Sequence, residues 1–255
     1  MRAGERTIGN STKFRLAPEV CYSAPTEDGC IVLNIDHGTL LSLNPSGALM
    51  FSKLARSDAG LTRDEFLHAV IPEFEDVSLT KLGSAVDDLL AQLEVNKVLH
   101  PESGKNSSGS PTELRLIQTC VRLLLRFLLF TRVYTMAALL LFLTIDSILR
   151  FGGFGSLHQM LTNWQINLGR RNDHSVIVSA CTAVDKAGIW HPKQSLCLQR
   201  SAVLVCLLRA FGVPAEMVIG VHKMPFYSHA WAEVEGEVIN DHRHVQIFFQ
   251  TLCRF

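Results

Sequence analysis

Three residues far apart in the chain have the types that nucleophilic catalysis needs: Cys197, His229 and Asp241. Cys197 opens the stretch "CLQRSAVLVCLLRAFGVP", which reads as a helix closed by Gly212 just past its end, with Pro214 two residues on. Leu204, Leu208 and Phe211 form an apolar face on it. A cysteine at a helix start lies among unpaired N–H groups at the positive end of the dipole, and both favour a thiolate. A nearby imidazole lowers the thiol pKa further and takes its proton. A carboxylate beside that imidazole fixes its tautomer and stabilises the imidazolium.

The imidazole and the carboxylate stand at the two ends of "SHAWAEVEGEVIND", Ser228 to Asp241, which reads as a β-hairpin. A three-residue loop, Val234-Glu235-Gly236, with glycine at the left-handed third position, sets His229 directly opposite Asp241 on one face. The same register sets Glu233 against Glu237, a mild penalty, and a two-residue loop separates His229 and Asp241 onto opposite faces. On the pair alone, a purely structural His–Asp hydrogen bond remains an alternative. Cys206, in an apolar run within the helix, reads as a core thiol, and Cys181 has no helix start after it.

The rest of the chain must supply elements that hold these ends together. "PESGKNSSGSPTE", Pro101 to Glu113, is rich in Pro, Gly and Ser without an aliphatic residue, and reads as a linker. The boundaries expected are a flexible N-terminus over 1–16, a first domain over 17–100, a linker over 101–112 and a second domain over 113–255. In the second, "FLLFTRVYTMAALLLFLTI" (Phe127 to Ile145) carries one charge, Arg132. Its uninterrupted part, Val133 to Ile145, is shorter than the ~20 residues of a spanning helix, which favours a buried core helix over a membrane-associated one.

The first domain opens with strand signals in "EVCYS", in "CIVLNID" with Ile31, Leu33 and Ile35 on one face, and in "TLLSL" after the turn "DHG". Three helices follow. "NPSGALMFSKLA" has Asn44 as N-cap and Pro45 as first helical residue. "LTRDEFLHAVI" has Thr62 and Glu65 at capping-box spacing and stops at Pro72. "LTKLGSAVDDLLAQLEVNKVL" has Leu82, Val86, Leu89 and Leu93 at helical spacing. Three strands and three helices make a winged-helix-like unit. Asp87, Asp88 and Glu94 against Lys81 and Lys97 on the third helix would repel nucleic-acid phosphates.

The stretch from "LLSLNPSGALMFSKLA" to "VDDLLAQLEVNKVL" resembles the PqqD-like peptide-recognition domain of pathways that modify ribosomally made peptides, with "LNPSGA" its most specific element. The resemblance implies that a leader peptide adds a strand to Thr39, Leu40, Leu41, Ser42 and Leu43 and lies against the third helix at Val86, Leu89 and Leu90. Backbone hydrogen bonds would supply affinity and side-chain pockets specificity. The alternative for these leucines is a plain role in the core.

The order Cys, His, Asp, with helix, strand and hairpin between, resembles the transglutaminase-like (papain-like) cysteine peptidase fold. "CLQRSAVLVCLLRAFGVPAEMVIGVHKMPFYSHAWAEVEGEVIND" is similar to the leader peptidases of lasso-peptide biosynthesis, the B proteins, through "CLxxS", "VIGV", "PFYSHAW" and "VIND". The fold class expected is α+β, with a PqqD-type domain fused to that peptidase domain. The resemblance implies Cys197 as nucleophile, His229 as base then acid, and Asp241 as the orienting residue. The Cys197 N–H would serve as one oxyanion donor, with Gln194 a candidate for the second. The implied partners are the leader region of a lasso precursor peptide and an asparagine-synthetase-like macrolactam synthetase that uses ATP. This chain has no GxxxxGK[ST] of its own.

Composition narrows the classes. The 255 residues are 47% apolar, enough for one or two cored domains, and mean hydropathy is +0.20. Net charge is zero, against a nucleic-acid partner. Seven cysteines without a CxxC pair fit a reducing cytoplasm rather than a disulfide framework. The N-terminus has no apolar core of a secretory signal, and no stable membrane insertion is expected. No cofactor or metal is expected. The rivals are a zinc hydrolase using His222, His229, His242, His244 or Cys197 without HExxH spacing, a non-catalytic leader-presenting adaptor, and acyl transfer to an amine instead of water.

Overall fold

The computed structural model describes residues 12–100, 133–164, 174–191, 197–222 and 226–255. The chain divides into two compact units, Met1–Asn106 and Ser107–Phe255. The expected linker, the first part of the apolar segment (127–132) and Gln194 lie outside the described residues.

In the first unit, β2 (Val20–Tyr22), β3 (Cys30–Asn34) and β4 (Thr39–Leu43) form an antiparallel sheet in the order β2-β3-β4. Order begins earlier than residue 17. Lys13–Phe14 is a strand, β1, paired with β5 (Leu61–Thr62), and Phe14 is buried, so residues 13–16 are no flexible tail. The helices are α1 (Pro45–Ala55), α2 (Arg63–Val70) and α3 (Leu79–Val95).

Local chemistry sets their ends. Asn44 Oδ1 accepts the Gly47 N–H at 2.8 Å, and Pro45 follows at the first helical position. Thr62 and Glu65 close both bonds of a capping box, at 3.3 and 2.8 Å, and α2 stops before Pro72 in a short 3-10 turn. The core joins Val32 and Leu43 of the sheet to Phe51, Phe66, Leu82 and Leu93 of the helices. The β3 face turned to this core carries Cys30 and Val32, while Ile31, Leu33 and Ile35 occupy the other face, also buried. A strand buried on both faces has no polar alternation to mark its inner side.

In the second unit, α4 (Tyr134–Thr162), α5 (His174–Trp190) and α6 (Cys197–Ala210) pack on one another. α6 also packs on a sheet of β6 (Ala215–His222), β7 (Tyr227–Val234), β8 (Glu237–Val238) and β9 (Gln250–Arg254), in the antiparallel order β8-β7-β6-β9. A short helix, α7 (Val245–Phe248), precedes β9. Ser201 to Leu208 of α6 are buried without a break, so the helix is enclosed all round rather than on one face.

Among the described residues, α4 is the one helix long and apolar enough to cross a membrane. It packs Ala137, Ala138, Leu141, Phe142 and Ile145 fully into the protein, leaves Met136, Leu143 and Phe151 exposed, and breaks at Gly153, where φ is 69°. Left-handed backbone suits glycine and interrupts the helix.

The α1 cap is open to a direct check. Asn44→Ala should lower the stability of the first unit by ~1 kcal/mol, read as an earlier first transition in urea unfolding followed by circular dichroism.

Candidate active site

The first residue of α6 is Cys197, at the end of the helix where N–H groups are unpaired. His229 lies near the start of β7, paired with Gly220 of β6. The thiol and the imidazole are hydrogen-bonded, and the N–H groups of Ala230 and Leu198 also point at the sulfur. Asp241 Oδ2 is 2.5 Å from His229 Nε2. With Nε2 committed to the carboxylate, Nδ1 is the nitrogen left for the thiol. All three sequence candidates therefore meet.

The charges follow from these contacts. The hydrogen bond to His229 lowers the Cys197 thiol against the opposing effect of burial, and the two N–H donors add to it. The hydrogen bond to Cys197, helped by Asp241, raises His229 to about 9 although burial opposes it. Burial pushes Asp241 upward, but hydrogen bonds from His229 and from the His242 N–H (2.7 Å) hold it below the ordinary carboxylate range. Both shifts favour the thiolate and imidazolium forms, the state from which a cysteine attacks.

The hairpin reaches this arrangement by a different register from the one expected. Val234 pairs with Glu237 and Glu233 with Val238, so the loop has two residues, Glu235 and Gly236, both with positive φ (53° and 84°). That is the backbone of a tight primed turn, whose twist matches its strands. Continued as a ladder, this register would turn Asp241 away from His229. The ladder stops instead. β8 ends at Val238, and after the Ile239 N–H bonds to the Ala232 carbonyl, the Asn240 side chain replaces the next backbone link. Asn240 Oδ1 accepts the Ala232 N–H at 2.8 Å, and its Nδ2 donates to Ser201 Oγ at 3.0 Å. Ser201 Oγ in turn donates to the Ala230 carbonyl at 3.0 Å. One amide thus swings the chain out of the sheet, brings Asp241 back to His229, and ties both to the nucleophile's helix.

Ser201 and Asn240 are supporting positions that sequence reasoning missed, although both stand inside the stretches "CLQRS" and "VIND". Another is Asp146 of α4. It accepts Gln199 Nε2 at 3.1 Å, two residues past Cys197, and pairs with the buried His191 at 3.2 Å. A cavity of about 400 Å³ beside the triad is lined by Arg200, Asn240, Asp241 and residues of α5.

The other candidates fall elsewhere. Cys206 is buried in mid-helix. Cys181 is within α5, its thiol donating to the Ile239 carbonyl at 3.5 Å, and burial with Asp185 pushes it up to about 11, an inert form. His222 ends β6 beside Tyr227, and His242 and His244 are exposed. Among the described residues no three His, Cys, Asp or Glu side chains form a group that could hold a metal.

In the first unit, Leu40 and Ser42 of β4 face solvent and Leu43 is buried. Thr39 Oγ1 donates to the Asn96 carbonyl at 3.0 Å, and Leu41 packs partly on the core. Val86, Leu89 and Leu90 of α3 are core residues, 0, 5 and 1% exposed. Their role is corrected accordingly: they support the surface from below and present no side chain to a peptide.

Two checks follow from the geometry. Cys197 should react with iodoacetamide at lower pH than an ordinary thiol, while any turnover that needs a proton from the imidazolium should fall as pH rises through about 9, the His229 value. His229→Ala should move alkylation to higher pH, since the group holding the thiolate is gone. Asn240→Ala should lower kcat roughly 10- to 100-fold, on the scale of lost orientation, with a small change in thermal stability. An unchanged kcat would separate Asn240 from the placing of Asp241.

Residues 139–253 match the model of the transglutaminase-like superfamily. A 48-residue stretch is 50% identical to the microcin J25-processing protein McjB of Escherichia coli, over 19% of this chain and 23% of that one. The match thus spans about a quarter of that relative's length. A solved structure, TbiB1 in complex with the TbiA(beta) leader peptide, is 22% identical over 35% of this chain and 99% of its own, with a TM-score of 0.29. The protein is a mixed helix-and-sheet chain whose second unit carries a transglutaminase-like domain match.

Proposed function

We propose that the protein is a leader peptidase of lasso-peptide maturation, acting in the cytoplasm. The observation that carries this is the Cys197–His229–Asp241 chain at the start of α6, with the thiol lowered and the imidazole raised. The partial identity to a microcin-processing protein supports the substrate class. The Cys197 thiolate attacks the carbonyl carbon at the leader–core junction and forms a C–S bond. The His229 imidazolium gives its proton to the departing amine as the C–N bond breaks. Water then attacks the thioester, His229 takes its proton, and the C–S bond breaks to restore the thiolate. The Cys197 N–H, at the start of α6, would serve as one donor to the developing oxyanion. The freed core amine is the group that an asparagine-synthetase-like partner would close onto an activated carboxylate.

The first unit serves as a PqqD-like recognition domain, with the leader added as a strand along β4. The register supports this. Ile31 bonds by both its N–H and its carbonyl to Ser23, on the β2 side. Its β4 partner, Ser42, therefore sits in a non-bonded pair and turns its backbone groups away from β3, as does Leu40 two residues earlier. β4 is the last strand of its sheet, so these groups line an open edge. Ser42→Pro removes one outward donor and leaves the β3 pairing intact.

The test uses the full chain and a precursor peptide. Cys197→Ala should abolish cleavage, a loss of several orders of magnitude, while leader affinity stays within a few-fold of wild type. Ser42→Pro should weaken leader binding roughly tenfold or more, the scale of one lost ~1.4 kcal/mol backbone contact, and leave Cys197 alkylation unchanged. Cleavage by Cys197→Ala at the wild-type rate would overturn the peptidase reading. Unchanged leader binding by Ser42→Pro would overturn the role of β4.

A further inference from the structure

His229, Trp231 and Glu233 stand at alternate positions of β7 and share one face of the sheet. Trp231 is fully buried, its ring stacked on the imidazole with 6.2 Å between centroids and 26° between planes. Phe249, just before β9, lies 5.2 Å from the same imidazole and 6.3 Å from the indole. The far edge of the indole occupies space left by Gly220, the β6 partner of His229. A Cβ there would come within 2.6 Å of the indole and 2.9 Å of Phe249. Beneath them Glu233, 1% exposed, accepts the indole N–H at 2.6 Å and Gln246 Nε2 at 2.7 Å, and pairs with Arg254. Burial pushes this carboxyl upward, and the bonds from Gln246, Trp231 and Arg254 outweigh it.

A carboxylate in the core is unusual, and this one has no place in the triad chemistry. What it holds is the ring under the catalytic imidazole. We propose that Glu233 is a positioning residue that acts through Trp231, locking the indole so that it and Phe249 form an aromatic cradle for the imidazolium form of His229. A cation within ~6 Å of an aromatic face is attracted by the ring's quadrupole, most strongly by indole. An anion on the indole N–H raises the electron density of the face turned to the cation. Glu233 therefore supports the positive charge of His229 without touching it. The inference rests on the proposed role of His229 as base and acid, and deepens it.

Among the described residues, these titratable groups surround the pair. His229 meets Cys197 from α6 and Asp241 from the segment after β8, with His242 beside Asp241. His222 of β6 also meets Phe249, edge to face with 6.2 Å between centroids. Glu233 meets Arg254 of β9, which also lies 3.6 Å from Glu216 of β6.

The test is an NMR titration of the full chain labelled with 13Cε1-histidine, the His229 signal being assigned by its loss in His229→Asn. Trp231→Leu and Phe249→Leu should each lower the His229 midpoint by about half a pH unit, the size of a partly exposed cation–π contact. Trp231→Phe, which keeps a ring, should retain most of the wild-type value. Glu233→Gln should lower the midpoint in the wild-type background and have no further effect in Trp231→Phe, because its influence passes through the indole N–H. An equal shift in both backgrounds would make Glu233 a through-space charge and overturn the relay. Midpoints unmoved by Phe249→Leu and by Trp231→Leu would overturn the cradle, and should Trp231→Leu not fold, Phe249→Leu and the Glu233 cycle decide. The titration involves no substrate. A protein that fails to cut precursor can still show the cradle, and an active peptidase with an unmoved midpoint would lack it.

Discussion

A half-buried thiolate and imidazolium survive only while they face each other, and they stand on different elements, a helix start and a strand. Each charge alone would be driven back to its neutral form by lost hydration. The second unit is organised to keep the two elements from sliding. Near the catalytic end of α6, Ser201 bonds to the Ala230 carbonyl beside His229. At the far end, Arg209 donates to the carbonyls of Ala215, Leu161 and Phe255 at 2.7, 2.6 and 2.7 Å. Those carbonyls belong to the start of β6, the end of α4 and the chain terminus. A single guanidinium thus fastens the helix to three segments. Burial lowers its pKa, but the planar fork keeps its charge while its donors are satisfied.

What local chemistry determines could be read directly from the residues. The caps of α1 and α2 use neighbours three residues apart, so "NPSG" and "TRDE" announce them. The bounds of β4, Thr39–Leu43, follow its apolar run and the turn before it. The end of α6 follows from Gly212 and Pro214 just beyond it. The meeting of Cys197, His229 and Asp241 was legible as an order of elements, since helix, strand and hairpin leave few ways to bring a helix start beside two strand ends.

The hairpin register was not legible, because the competing signals are nearly balanced. Glycine after Glu235 suits the third position of a three-residue loop and the second of a two-residue one. The two-residue turn needs Glu235 at φ 53°, a conformation few side chains favour. What offsets it is remote. The three-residue register would set Glu237 directly opposite Glu233, whose buried carboxylate is already held by Arg254, 21 residues on, and by the indole N–H, and like charges directly opposite destabilise a strand pair. The Asn240 bond to Ala232 then breaks the ladder so that Asp241 still reaches His229. Likewise the α6 run "SAVLVCLL" has eight buried residues in sequence, and a single-face reading of it passes over the polar Ser201, which is there to be bonded.

The edge of β4 adds an argument of a different kind. An open strand edge is a site for unwanted pairing, and sheets commonly guard it with lysine, proline or a bulge. Thr39–Leu43 carries none of these: its register with β3 is regular over all five residues, and its outward positions are Leu40 and Ser42. Arg63 and Asp87 form a bidentate pair at 2.6 and 2.7 Å between α2 and α3, so charged groups are available in this unit and are used to join helices rather than to guard the edge. Among the described residues the edge is regular and carries no such guard, which agrees with the strand addition proposed above. Val86, Leu89 and Leu90 belong to the core. They share one hydrophobic core with Leu43 and the partly buried Leu41 of β4, so their side chains are spent on holding the unit together rather than on its surface.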